Sequence, residues 1–188
     1  MELETPRLRL DALHLGDAEV LFRYRADPEV ARYQGWLPAS ADEARQFIQD
    51  QAGLPVPAPG SWVQRAIRLR DGGALVGDVG FCLSTDRQLE FGISLAPLWQ
   101  GQGLAREALQ TLLSHWFGAW DVHRVHASVD PRNAPSMALL RALGLRQEAH
   151  FRESLLFRGE WVDDVIFAML VSEWRNVAPE SAAEASSR

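Results

Sequence analysis

Cysteine is nearly absent from this 188-residue chain, which contains Cys82 alone. One thiol excludes an intramolecular disulfide and a cysteine-rich metal site, and its apolar, strand-like surroundings predict a buried, inert group. Long hydrophobic runs are also missing, since no window approaches the 18 apolar residues that a membrane span needs. The first six residues lack the basic start and apolar core of a signal peptide. We therefore expect a cytoplasmic protein with no membrane partner and no bound metal ion.

A basic excess is absent as well. The 19 basic and 25 acidic residues give a formal net charge of −6, which argues against a nucleic-acid partner because nucleic-acid-binding proteins present a basic surface. With 47% apolar residues, the chain is long enough for one domain with a sizeable core, which we place at residues 1–175. Residues 176–188 are rich in Ala, Ser and Glu and have no large apolar residue after Val177, so we expect a disordered tail.

The rest of the chain alternates between strand and helix patterns. Alternating or apolar runs predict seven strands, at residues 8–12, 62–69, 74–83, 89–95, 124–129, 145–157 and 161–170. Apolar residues at helical spacing predict four helices, which begin near residues 17, 40, 104 and 134, the first of them ended by Asp27-Pro28. The fourth strand alternates, with Leu89, Phe91 and Ile93 on one face and Glu90 on the other. This order predicts a mixed α/β sheet in a single domain.

A glycine-rich turn, Gln-Gly-Gln-Gly-Leu-Ala at residues 100–105, lies between the fourth strand and a long amphipathic helix. Unpaired N–H groups at a helix start carry partial positive charge and suit a phosphate. The dinucleotide-binding fingerprint would need a third glycine where Arg106 stands, and a P-loop would need Gly-Lys-Ser/Thr, which is absent. The turn therefore predicts a phosphate-bearing ligand held by neither of these two motifs.

Residues 100–105 also fit the pattern Gln-x-x-Gly-x-Ala, which resembles the pyrophosphate-binding motif of the GNAT superfamily of acyl-CoA-dependent N-acetyltransferases. Four further segments resemble landmarks of its Rim-type branch, which acetylates ribosomal-protein N-termini, and they occur in the same order. These are Leu-Glu-Thr-Pro-Arg-Leu-Arg-Leu at 3–10, Leu-Glu-Phe-Gly-Ile-Ser-Leu at 89–95, Asn-Ala-Pro-Ser at 133–136 with Leu-Gly-Leu at 143–145, and Gly-Glu-Trp-Val-Asp at 159–163. The resemblance spans about residues 1–175.

The resemblance implies a GNAT-like fold: a mostly antiparallel central sheet of about seven strands, splayed between the fourth and fifth strands and flanked by about four helices. It also implies acetyl-CoA as the acyl donor, with the pantetheine arm in the splay and the pyrophosphate on the glycine turn. The residues that it implies in donor binding are Ile93, Ser94, Leu95, Gln100, Gly101, Gln102, Gly103, Leu104, Ala105 and Asn133.

Two residues are candidates for proton transfer. An amine must lose a proton before it attacks a thioester, and a carboxylate is the usual base. Glu90 coincides with a glutamate of the Rim-type motif, although a solvated or paired carboxylate is the alternative interpretation. The resemblance implies that Ser136 is the partner of the departing thiolate, and local hydrogen bonding near a helix start is its alternative role. Leu140 occupies the position at which many superfamily members have a tyrosine acid, so the chain departs from that pattern.

Two further residues each have two interpretations. Asn133 can cap the helix that follows it and also contact the donor. Trp36 ends the segment Tyr-Gln-Gly-Trp at 33–36, which resembles the loop where the Rim-type branch meets its acceptor. Trp36 is therefore either an acceptor-substrate contact or an anchor of the core.

The resemblance implies an N-acetyltransferase that moves an acetyl group directly from acetyl-CoA to a primary amine in a ternary complex. A protein N-terminal α-amine is the leading acceptor, and a small amine such as an antibiotic, amino acid or polyamine is the alternative. From a different class, a non-catalytic acyl-CoA-binding sensor would share the fold. Homodimers are frequent in the Rim-type branch, and we expect one as a possible state here.

Overall fold

The structure, a computed structural model, describes residues 1–177. Its strands are β1 (Leu3–Glu4), β2 (Leu8–Asp11), β3 (Trp62–Leu69), β4 (Leu75–Leu83), β5 (Gln88–Leu95), β6 (Arg124–Val129), β7 (Arg146–Phe157) and β8 (Glu160–Leu170). Its α-helices are α1 (Ala18–Arg25), α2 (Pro28–Ala31), α3 (Ala41–Ala52), α4 (Leu104–Gly118), α5 (Ala134–Ala142) and α6 (Val171–Val177). Within this described range, none of the helices has the length and apolar character needed to cross a membrane.

All eight strands form one open sheet in the order β1-β2-β3-β4-β5-β6-β8-β7. Neighbouring strands run antiparallel, with the single exception of the parallel pair β5 and β6 among the described residues. A parallel pair needs a crossover, and α4 provides it. The mixed, mostly antiparallel α/β architecture predicted from the sequence is confirmed.

The counts of elements differ from the prediction. The sheet has eight strands, because β1 adds a two-residue pairing with β2 that is too short to show alternation. Asp27-Pro28 was expected only to end α1, but it also starts α2: proline suits the first turn of a helix, and the Asp27 carboxylate accepts a bond from the Glu29 N–H at 2.9 Å. The predicted tail overlaps α6 at its first two residues, and residues 178–188 lie outside the described residues.

The sheet has a core on each face. Helix α4 covers one face through the apolar stripe predicted for it, and Trp116 is fully buried, with its ring 5.5 Å from that of Phe81 and 5.6 Å from that of Phe91. Helices α1 and α3 cover the other face around Ala66 and Leu75. The even-numbered residues of β5 point to this second face, as the sequence pattern predicts.

Strands β5 and β6 separate soon after they meet. Their register pairs are confined to residues 88–90 of β5 and 124–126 of β6, ending with Glu90 opposite His126. The two strands continue to Leu95 and Val129 without further pairing. The ladder thus opens into a V between the central strands, which confirms the predicted splay. It leaves strand backbone free to bond to something other than the sheet.

Candidate functional site

The opening between β5 and β6 is a cleft of about 580 Å³, a volume that includes open solvent at its mouth. Its walls come from three places: the two splayed strands, the first turns of α5, and the loop between α2 and α3. The lining residues include Tyr33, Gln34, Ile93, Asn133, Ser136 and Leu140. Of the predicted site residues, the structure brings Ile93, Asn133 and Ser136 together on this cleft.

Glu90 lies at the closed end of the V, where the β5–β6 ladder stops. It is in register with Cys82 on β4 and with His126 on β6, so the three side chains share the face covered by α1 and α3. The Glu90 Oε2 atom is 3.8 Å from His126 Nε2, and burial, reinforced by the Asp164 carboxylate, raises the pKa of Glu90. A carboxylate with a raised pKa is a better proton acceptor, which suits the predicted role of base.

Cys82 is half-buried rather than fully buried. Burial, together with the negative charge of Glu90, raises the pKa of its thiol. A thiol of raised pKa stays protonated and is a poor nucleophile, in agreement with the inert thiol predicted from the sequence.

Helix α5 begins at the cleft wall. Its N-cap is Asn133, whose Oδ1 accepts a bond from the Ser136 N–H at 3.2 Å. The capping role of Asn133 is therefore present, and the same residue also faces the cleft. Leu140 is buried at the cleft wall, so position 140 supplies no phenol hydroxyl, and Ser136 is the hydroxyl that α5 presents to the cleft.

The glycine turn lies at the start of α4. Gly101 and Gly103 adopt φ of +72° and +77°, a left-handed conformation that glycine tolerates far better than other residues. The first helical bond closes from the Glu107 N–H to the Gly103 carbonyl, so the amides of residues 104–106 lack an intrahelical partner. The Leu104 side chain is buried, which leaves its backbone as the group available to a ligand.

The glutamines of the turn support the loop itself. Gln100 Nε2 donates to the Leu95 carbonyl at 2.9 Å, and Gln102 Nε2 donates to the Leu98 carbonyl at 2.8 Å. Ala105 follows in the first turn of α4 and is partly buried. Ser94, also predicted to bind the donor, has a buried Oγ with no hydrogen-bond partner in residues 1–177.

Arg7 was not singled out from the sequence, yet it is bonded to the glycine turn. Its Nη1 donates to the Gln102 carbonyl at 3.0 Å, and its Nε pairs with Glu107 at 2.6 Å. Glu107 also accepts from the Thr5 hydroxyl and from the Arg7 N–H. The N-terminal segment therefore stabilises the glycine turn through the bonds of Arg7 to the Gln102 carbonyl and to Glu107. In the sequence, Thr-Pro-Arg at residues 5–7 belongs to a segment that resembles a landmark of the Rim-type branch, and that resemblance assigns Arg7 no role.

The α2–α3 loop forms the third wall of the cleft, beside the two splayed strands and α5. Tyr33 and Gln34 line the cleft, and the Tyr33 hydroxyl donates to the Arg132 carbonyl at 3.2 Å. Trp36 lies further along the loop and stacks on Phe47 with ring centroids 4.3 Å apart. That contact fits the core-anchor interpretation of Trp36, while its acceptor contact stays a prediction.

A buried ion pair behind this loop was also missed. Asp78, on β4, is fully buried and accepts bonds from Tyr24 at 2.5 Å, from Arg25 and from Gln64. Arg25 extends from this cluster to Gln34, with Nη1 donating to Oε1 at 3.0 Å. The sequence feature that could have indicated this ion pair is the single carboxylate within the otherwise apolar run of β4.

The sequence model for "Acetyltransferase (GNAT) domain" matches residues 7–146. The uncharacterized N-acetyltransferase p20 of Bacillus licheniformis is 31% identical over 175 residues, which cover 92% of this chain and 97% of p20. The ribosomal protein uS5 alanine N-acetyltransferase of Escherichia coli is 35% identical over 83 residues, 44% of this chain and 43% of that enzyme. Spermidine N(1)-acetyltransferase of Vibrio cholerae is 29% identical over 90 residues, 48% and 52% of the two chains.

Solved structures share the fold. A GNAT-family acetyltransferase from Bacillus anthracis matches with a TM-score of 0.81 and 25% identity, covering 92% of this chain and 99% of that one. RimL, solved in complex with coenzyme A, matches with a TM-score of 0.80, 19% identity and coverage of 92% and 99%, a likeness of fold alone. Because the domain match spans well over half of the sequence, the chain belongs to the GNAT family of acetyltransferases and is an N-acetyltransferase.

Proposed function

We propose that this enzyme transfers an acetyl group from acetyl-CoA to the α-amine of a protein N-terminus, by direct attack in a ternary complex. The observation that carries the proposal is the cleft between β5 and β6, which is lined by the splayed strands, by α5 and by the α2–α3 loop. In this proposal the donor lies along β5, and the acceptor amine reaches the same cleft beside the α2–α3 loop. The resemblance to enzymes that acetylate ribosomal proteins supports the choice of acceptor.

The donor would bind along β5 and the glycine turn. The unpaired strand edge at Ile93, Ser94 and Leu95 suits the amides of pantetheine, because the β6 ladder does not occupy it. The free amides at the start of α4 suit the pyrophosphate. Residues 100–105 and Asn133 are the remaining proposed contacts, and the cradle fits because Gly101 has open space where a Cβ would lie.

The chemistry needs one base and one proton donor. The acceptor ammonium gives its proton to Glu90, directly or through water. The free amine then attacks the thioester carbon, and the C–S bond breaks. As the amide forms, its nitrogen loses a second proton to solvent, and the departing thiolate gains one that Ser136 relays from solvent or that solvent supplies directly. A backbone N–H at the splayed strand would stabilise the developing oxyanion.

The base assignment is tested with Glu90→Gln, measured by release of free CoA thiol over a panel of N-terminal peptides. We expect kcat/KM to fall about 10²-fold or more. In the wild-type enzyme the carboxylate form is lost as pH falls through the raised pKa of Glu90, so the acid limb of activity lies above the ordinary value of 4.5. Glu148→Gln, on the surface and paired with Arg124, is the matched control. Unchanged turnover across pH in the Glu90 variant would refute the assignment.

A small amine is the second candidate acceptor, supported by the similarity to spermidine N(1)-acetyltransferase. Spermidine and a set of amino acids, assayed beside the peptides, separate the two acceptor classes by their kcat/KM. Acetyl-CoA binding without turnover on any amine would favour the sensor instead. A homodimer, a cytoplasmic location and one catalytic domain over residues 1–175 stay predictions, and light scattering of the purified protein tests the first.

A further inference from the structure

Gln34 is held in the cleft wall by its own backbone. Its N–H donates to the Ala31 carbonyl at 3.1 Å, and its carbonyl accepts a bond from Arg158 Nη2 at 3.1 Å. The second contact joins the α2–α3 loop to the turn between β7 and β8. Both backbone groups of Gln34 are therefore occupied, and its side-chain amide is the polar group that remains at the cleft.

Arg25 fixes which end of that amide is bonded to the core and which end is left without a partner. A guanidinium has donors and no acceptor, so the bond from Arg25 Nη1 at 3.0 Å must reach the amide oxygen of Gln34. A flipped amide would set its N–H donors against the donors of Arg25. The Nε2 group of Gln34 is thereby directed away from Arg25, and it has no hydrogen-bond partner within residues 1–177.

Arg25 itself has no freedom to turn away. It is buried, its Nε and Nη2 both bond to Asp78, and its guanidinium lies 5.7 Å from the ring centroid of Trp36. Asp78 is fixed in turn by Tyr24 and other donors. The chain Asp78–Arg25–Gln34 thus sets the polarity of one point on the cleft wall from inside the core.

We propose that Gln34 is a specificity-determining residue that donates an amide N–H bond to a carbonyl oxygen of the acceptor. The inference rests on the proposed function and deepens it. In a peptide N-terminus the first carbonyl is attached to the carbon that bears the amine, so such an oxygen always accompanies the reacting group. Spermidine contains no oxygen, and its protonated amines donate hydrogen bonds but cannot accept one. A site built to bond a polar group discriminates against an analogue that lacks it.

Three probes test this: an alanine-initiated tetrapeptide, the same peptide with its first carbonyl reduced to methylene, and spermidine. For Gln34→Met, which keeps side-chain length and removes the donor, we expect kcat/KM for the peptide to fall about three- to tenfold, mainly through KM. Activity on the reduced peptide should not change. Gln46→Met, at an exposed glutamine of α3, is the matched control and should alter none of the three activities.

A second variant separates the loss of the hydrogen-bond donor from any change in side-chain packing, because glutamate has nearly the same shape as glutamine. In Gln34→Glu the donor becomes an acceptor, so the ratio of peptide to spermidine activity should fall further than in Gln34→Met. Equal losses on the intact and the reduced peptide would show a merely structural role and overturn the inference, as would no loss on either. If the wild-type enzyme acetylates no amine, the proposed function fails, and this inference fails with it. If the enzyme acetylates the peptide but the Gln34 variants leave the activity ratios among the three probes unchanged, this inference is wrong and the proposed function stands.

Discussion

Removing the charge of Asp78 tests how strongly the core depends on its ion pair with Arg25. Asp78 has no exposed surface, and Arg25 and Tyr24 are 6% and 4% exposed. The substitution Asp78→Asn keeps the size of the side chain and leaves an oxygen for the Tyr24 hydroxyl. It removes the one negative charge that Arg25 bonds within the described chain, so a buried guanidinium would remain without compensation.

The expected loss is large compared with the stability of the protein. Breaking a buried pair by removing one partner costs about 3–5 kcal/mol, against a total unfolding free energy of about 5–15 kcal/mol for an ordinary domain. At about 2–4 °C per kcal/mol for a chain of this size, the melting temperature should fall by about 6–20 °C. Urea denaturation followed by circular dichroism, supported by calorimetry, measures both quantities.

Two comparisons make the result specific to the buried charge. The double variant Asp78→Asn with Arg25→Met should be less destabilised than the sum of the single variants, because it removes both charges. Asp42→Asn, which breaks the exposed pair with Arg45, should change the unfolding free energy little, because water screens that pair. A loss of unfolding free energy below about 1 kcal/mol in Asp78→Asn would refute the reasoning that Arg25 stays charged and uncompensated once the Asp78 carboxylate is removed.

Three further predictions concern the donor turn and the proton site. Gly103→Ala forces a side chain into φ +77°, at a cost of about 1 kcal/mol or more, and should weaken CoA binding in calorimetry, whereas Gly16→Ala, in open space, should not. Arg7→Met should raise the Kd for CoA with kcat retained at saturating donor, since it frees the Gln102 carbonyl; an unchanged Kd would show that the turn holds itself. His126 should titrate by NMR below 6.5, because burial and then Arg124 lower its pKa, and a midpoint above 6.5 would contradict this.

The parts of the fold that depend on local pattern could be predicted from the sequence. The alternation of β5 and the apolar stripe of α4 each repeat over several residues, and both elements form where expected. Short elements were missed, because the two residues of β1 carry no period and Asp27-Pro28 can end one helix or begin another.

The missed site contacts depend on residues far apart in the chain. Arg25 and Asp78 are 53 positions apart, and Arg7 and Glu107 are 100 apart. The local sequence around one partner does not identify the other, so only the folded chain shows the pairing. Gln34 was visible in its loop, but the direction of its amide is set by Arg25 and could not be read without that contact.

The short β5–β6 ladder also has a thermodynamic consequence. It makes a seam between two half-sheets, β1–β5 on one side and β6–β8 on the other, held edge to edge by three register pairs. A donor lying in the opening would act as a cross-link between the halves. Ligand at a free concentration of 100 times its Kd stabilises the folded state by about 2.7 kcal/mol. The substrate would thus be a removable structural component, and the resistance of the enzyme to unfolding would follow the supply of acyl donor.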